Sequence, residues 1–241
     1  MTSSFRQEGG TMRKRALFVV GALAVMVIFQ SCSSHPEKGL LEKYFNAVSL
    51  KDNQTMSSMA LEPIEIDINS WELLSVTPES IDPVILPDLN KHELDLRKEE
   101  EEHRTPVLEA QDLLYAAKDE LDLARTGAAR NAARKKVDAL QAQYDEEYAK
   151  HGEIRKEYND AKTAAAQEEQ TAIFSLGLRE LPGVRDFTGD VHSKEVDIKV
   201  NLKDGTQRTY RAFLRMYQLR DEATGMVHRG RWIITHFDQI D

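Results

Sequence analysis

Cysteine is all but missing, with Cys32 the single thiol in 241 residues. No internal disulfide can form, and an odd cysteine in an exported chain points to a modification, an intermolecular bond or a free thiol. Aromatic residues are also scarce, at 7% against 30% charged residues. So little ring-bearing material suggests long solvated helices rather than a purely globular chain. Proline nearly vanishes from residues 88–176, where Pro106 stands alone. There is no long basic stretch, and the formal charge is −9, which argues against nucleic acid as a partner. The patterns GxxxxGK[ST], HExxH, GxSxG and CxxC are absent, so no phosphate loop, zinc-protease helix, nucleophile elbow or dithiol is on offer. The expectation is a non-enzyme without a cofactor or metal.

Long apolar runs are missing too. The longest uncharged one, Ala16 to Phe29, would span roughly 21 Å as a helix, short of the ~30 Å hydrocarbon core. It follows the cluster Arg13, Lys14, Arg15 and ends on the small Ser31, which is the layout of an export signal. The tetrad Phe29-Gln30-Ser31-Cys32 resembles the lipobox of bacterial lipoproteins. That resemblance implies a diacylglycerol on Cys32, cleavage just before it, and acylation of the new amine. Residues 1–31 are then the signal and residues 32–38 a tether. Fatty chains such as palmitate, at about 0.8 kcal/mol per buried CH₂, would hold the protein on a membrane. The placement implied is the bacterial cell envelope, facing the periplasm. Ser33, in place of an aspartate, favours the outer membrane over the inner. An ordinary secretory signal, or an uncleaved anchor with an incidental cysteine, is the alternative.

Beyond the tether the pattern turns α+β. Leu40, Leu41, Tyr44, Phe45 and Val48 share one helical face over residues 39–50. A second helix is expected over residues 52–61, with Met56, Met59 and Ala60 inward and Pro63 ending it. Ile64, Ile66 and Ile68 alternate with polar residues at strand period, and Trp71 to Val76 continue the strand or its neighbour. Pro78, Pro83 and Pro87 suggest a loop. Near the end of the chain, Val196 to Leu202 and Tyr210 to Met216 alternate strictly, with Asp204-Gly205 between them as a two-residue type I′ turn. Residues 220–230 read as a polar loop and Trp232 to Phe237 as a last strand. Two helices, a strand and a twisted meander resemble the nuclear-transport-factor-two-like (ketosteroid-isomerase-like) fold. The matching stretches are LLEKYFNAVSLKDNQTMSSMAL, IEIDINSWELLSV and VDIKVNLKDGTQRTYRAFLRMY…RGRWIITHF. Residues 39–86 and 177–241 would form this domain jointly, since neither part buries a core alone.

Residues 88–176 interrupt it. Val107, Ala110, Leu114, Ala117, Leu121 and Ala124 recur at three-four spacing, as do Val137, Leu140, Tyr144, Tyr148, Ile154, Tyr158, Ala161 and Ala165. That is a coiled-coil seam. Both ends must return to one domain, so a turn at Thr126-Gly127 makes an antiparallel hairpin. Ala117 then faces Val137, Leu114 faces Leu140, and His103 faces His151. Pro106 and Gly152 come to similar height, which suggests a kink, or a fresh helix start at Thr105-Pro106. One continuous helix that dimerises between chains is the rival arrangement.

The hairpin tip reverses the sign of the chain. Arg125, Arg130, Arg134, Lys135 and Lys136 lie in a stretch without an acid and could attract an acidic protein or another anionic envelope component. A plain solvated turn is the bland alternative. Glu99 and Glu147 stand near His103 and His151, where solvated polar residues are a better reading than a metal set. Asp197, Tyr210 and His236 lie on predicted strands without forming an assignable catalytic dyad. The function expected is binding or scaffolding through the hairpin. The alternative is a small-molecule binder or enzyme that uses a pocket of the α+β domain.

Overall fold

A computed structural model describes residues 36–240; Cys32, the signal and the first part of the tether lie outside the described residues. Helix α1 spans Pro36–Leu50, so the last three residues assigned to the tether are helical. Its Leu41, Tyr44, Phe45 and Val48 are buried as their spacing predicts, and Ala47 joins them. Lys51 takes a left-handed φ of 56° and reverses the chain. Asp52 then caps α2 (Asn53–Met59) by accepting the Thr55 N–H at 3.1 Å.

The strand β1 spans Ile68–Val76. Ile64 and Ile66, expected in a strand, pack on the core from an irregular segment. That segment is held by Tyr44, whose hydroxyl accepts the Ile64 N–H at 2.9 Å. The expected proline loop is instead structured. β2 (Ser80–Pro83) is an edge strand, where proline is tolerated, and Pro87 sits in the first turn of α3 (Leu86–Leu123). α4 spans Gly127–Leu176. It ends in a Schellman motif: Gly177 has φ 68°, its N–H reaches the Phe174 carbonyl, and the Leu178 N–H reaches the Ile173 carbonyl. A 3₁₀ turn, Val184–Asp186, leads into the paired strands β3 (Thr188–Leu202) and β4 (Gln207–Arg220). Their connection is a three-residue loop, not the two-residue turn expected. The Leu202 N–H pairs with the Thr206 carbonyl, and only Gly205 has positive φ. β5 (Val227–Arg229) lies inside the expected polar loop, and β6 (Ile233–Gln239) completes a six-stranded antiparallel sheet.

The fold is thus α+β with a long antiparallel helical hairpin. Residues from Leu40 onward form one compact unit, which has two hydrophobic clusters. In the larger, Val196, Ile198, Val200, Tyr210, Ala212 and Leu214 face α1 and α2, with Phe45 stacked on Trp71 and Tyr44 on Phe237. The smaller cluster holds Tyr217, Leu219 and Val191 on the opposite face of the same two strands, against Ala172 of α4 and Val184. Strand alternation therefore serves both faces. Met216 was expected inward and Tyr217 outward, but the base of α4 covers the second face at that end, so Tyr217 is the buried one.

The junction between α4 and the sheet has no slack. The buried Ser175 Oγ accepts the Tyr217 N–H at 3.1 Å and donates to the Arg231 carbonyl at 2.8 Å. A Cβ on Gly230 would lie 2.3 Å from that oxygen and 2.9 Å from the Tyr217 carbonyl, whereas one on Gly152 would meet nothing within 4 Å. Gly230→Ala should therefore destabilise the protein by about 1–3 kcal/mol. Gly152→Ala should stabilise it by up to about 1 kcal/mol, because the helix loses its most flexible residue. Urea denaturation midpoints that shift in opposite directions are the expected result.

Candidate partner-binding hairpin

The arms of the hairpin meet along a strict heptad seam. On α3 the inward positions include Leu96, Glu100, His103, Val107, Ala110, Leu114, Ala117 and Leu121; on α4 they include Val137, Leu140, Tyr144, Glu147, His151, Ile154, Tyr158, Ala161 and Ala165. Such spacing gives a left-handed coiled coil. Tyr148, expected in the seam, is 60% exposed; Glu147 and His151 hold the inward positions instead. The expected register is present. His103 and His151 stack with ring centroids 6.2 Å apart, and Lys136 meets Glu120 at 2.7 Å. Each histidine also faces a carboxylate on the other arm, His103 with Glu147 at 3.4 Å and His151 with Glu100 at 3.5 Å. Glu100, rather than Glu99, supplies the α3 carboxylate, because it lies one heptad before Val107. Among the described residues no set of three metal-ligating side chains converges.

Both arms are helical through Pro106 and Gly152. A new helix does not start at Thr105-Pro106, and the missing proline N–H leaves only the Glu102 carbonyl without its intrahelical donor. At the base, Arg185 binds Glu169 of α4 at 2.6 Å and Glu93 of α3 at 2.5 Å, while Asn90 donates to Asp186 at 2.8 Å. Past Leu96 the arm α3 continues to Leu123, about 40 Å at 1.5 Å per residue.

Ala124 and Arg125 make the turn, and Thr126 caps α4 by accepting the Ala129 N–H at 3.2 Å. All five candidate cations are exposed. They are not equivalent: Lys136 is engaged by Glu120, while Arg125, Arg130, Arg134 and Lys135 point into solvent with no ion pair among the described residues. Leu123, which sequence reasoning did not single out, is 79% exposed. With Ala124, Ala129, Ala132 and Ala133 it lines a shallow apolar depression between the arm ends. The charged residues that border this depression are Glu120 and Lys136, and the four cations without ion pairs lie outside its lining. The tip therefore offers guanidinium and ammonium donors, suited to carboxylates or phosphates, and a separate small apolar patch.

The domain surfaces offer less. One depression, between Val48, Lys51, Met56 and Ile66, is bordered by the Lys51–Asp67 ion pair at 2.8 Å. A second lies over Phe213, Ser193 and Thr77. Asp197, Tyr210 and His236 do not converge. Asp197 and His236 are on the face opposite the larger core, whereas Tyr210 is buried in that core. His236 is stacked on Phe213 at 4.3 Å. Asp197 is occupied by Arg211 at 2.8 and 3.2 Å, and by Ser75. Among the described residues no helix is long and apolar enough to cross a membrane.

No protein-family model, curated protein or solved structure matches this chain.

The Asp197–Arg211 pair ties stability to pH. Its hydrogen bond from Arg211, with help from Ser75, holds the Asp197 carboxyl below the usual carboxylate range. The folded form binds this proton less tightly than the unfolded chain. Its stabilisation is therefore complete above the ordinary carboxylate value near ~3.9 and disappears as pH falls through the lower folded value. Asp197→Asn should lower the denaturation midpoint at pH 7 and lessen its decline in acid, which a pH series of urea titrations would show.

Proposed function

We propose that the protein is a lipid-anchored lipoprotein of the bacterial cell envelope that works as a binding or scaffolding module, with its helical hairpin presenting a cationic tip to an acidic partner. One observation carries this reading: among the described residues, four cations without an ion pair and an exposed leucine stand at the free end of a stalk whose fastenings to the sheet are at its base. In a chain of net charge −9 the tip is a local reversal of sign. Exposed charges act over about 8 Å at physiological salt, so the contact would form at close range and weaken as salt rises. Arginine predominates over lysine among the free cations, which suits paired contacts to carboxylates or phosphates.

The helices α1 and α2 ahead of β1, and the β3–β4–β6 meander, support the nuclear-transport-factor-two-like reading of the domain. In this protein its role would be to carry the stalk. The basic cluster, short apolar run and Cys32 support the anchor.

Two measurements test the proposal. Arg130→Glu, Arg134→Glu and Lys135→Glu combined should abolish capture of an envelope partner without changing the denaturation midpoint, since none of the three has an ion pair among the described residues. Unchanged capture would refute the tip. Cys32→Ser should remove incorporation of labelled palmitate and release the protein from the membrane fraction. A variant that labels and sediments like the parent would refute the anchor.

A further inference from the structure

The stalk has a second surface with its own chemistry, away from the tip. The heptad positions divide the hairpin into two sides. Glu120 and Lys136, which touch at 2.7 Å, hold the equivalent flanking position on each arm and define one side. On the other side lie Leu108 and Tyr115 of α3 and Tyr148 of α4, exposed by 49%, 54% and 60%. Tyr148 leans on Tyr144 of the seam at 5.7 Å, and Gln111 donates to the Tyr115 hydroxyl at 3.3 Å. Leu94, Leu108 and Tyr115 are spaced in multiples of seven, and all three are about half exposed. That is the repeat of a helix packing along the groove between two others.

Charge on this side is one-sided. From residues 97 to 118 on α3 and 141 to 162 on α4, the flanking positions carry Arg97, Arg104, Lys118, Arg155 and Lys162 and no acid. Glu101, in the same row as Leu94, Leu108 and Tyr115, and Asp145, in the matching row of α4, are engaged by Arg97 and Gln141. Lys118 and Lys162 lie over the rings of Tyr115 and Tyr158. Arg104 and Arg155 have no ion pair among the described residues and stand on opposite banks of the groove.

We infer that this side of the stalk is a docking groove for an acidic amphipathic helix of a partner protein. The helix would set its apolar face against Leu108, Tyr115 and Tyr148 and its carboxylates against Arg104 and Arg155. Exposed tyrosines between arginines are the composition of interface centres rather than of solvated helix faces. A lipid surface suits the site less, because the groove is flanked along its length by two helices and its apolar residues are spaced for another helix. The opposite side of the stalk is acidic, with Glu102, Glu109, Glu153 and Glu157, but over these spans Leu113 is its one exposed large apolar residue among the described residues, so a second copy of the chain would bring charge without an apolar face. The groove is centred about 28 Å below the turn, at 1.5 Å per residue, so it is independent of the tip.

The test places a photoreactive residue, Tyr148→p-benzoylphenylalanine, in the full chain expressed in its own cells, followed by irradiation and mapping of the crosslinked peptide. The expected product joins position 148 to an acidic helical segment of a different polypeptide. Adding Arg104→Glu and Arg155→Glu should reduce its yield about tenfold or more while helix content and denaturation midpoint stay unchanged. The charge-reversed tip should leave the yield intact, which separates this groove from the tip. A crosslink to another copy of the same chain, to lipid or to a segment that is not acidic would overturn the inference. So would no crosslink, or a yield indifferent to the arginine reversals.

Discussion

The last turn of α4 is fastened to the sheet through one buried hydroxyl. Ser175 Oγ takes the Tyr217 N–H and gives its own proton to the Arg231 carbonyl, while the Arg231 N–H returns to the Ser175 carbonyl at 2.9 Å. Buried polar groups are costly when unpaired, so this closed set fixes the helix against the strand wherever both are present. Gly230 is the condition for it, since any side chain there would occupy the place of the hydroxyl. Arg185 then draws Glu169 and Glu93 together and brings α3 to the same base. The direction of the whole stalk is set within these few contacts, and the apolar cluster around Tyr217 and Leu219 supplies the burial that holds them.

Beyond the base the stalk depends on its own seam. Small and large residues alternate near the tip, with Ala110, Leu114 and Ala117 nearly inaccessible. Midway, the crossed His103–Glu147 and His151–Glu100 pairs replace apolar packing. The imidazole Nδ1 atoms are buried without a hydrogen-bond partner among the described residues. Polar layers of this kind lower stability and favour one register, because a slip would leave the same groups facing leucine. The tip cations can then be held at a fixed height above the domain.

Much of this could be read from residue order. The spacing of Val107 through Leu121 gave the seam, the Thr126-Gly127 pair gave the turn, and alternation gave the cores of β3 and β4. The departures have local or distant causes. Tyr148 attracted a seam assignment because it is apolar and near Tyr144, whereas the true seam is polar at that point. β2 was hidden by its proline, which an edge strand accepts. The exchange of faces at Met216 and Tyr217 depends on a helix more than forty residues upstream, and no pattern within the strand announces it. At the tip, the cations were visible as charge, but the withdrawal of Lys136 by Glu120 and the exposure of Leu123 depend on how the arms close.

The functional account requires one chain to fold back on itself, so that the tip is a free end and the flanking groove lies between two arms of the same molecule. Electron spin echo distances between nitroxides at Glu99→Cys and Glu157→Cys, in a Cys32→Ser background, test this most directly. An antiparallel hairpin places the two helices about 10 Å apart, so a single short separation should be measured and should survive dilution with unlabelled protein. A continuous helix would place the labels roughly 85 Å apart within the chain, at 1.5 Å per residue. That long distance, or a short one that vanishes on dilution, would contradict the account.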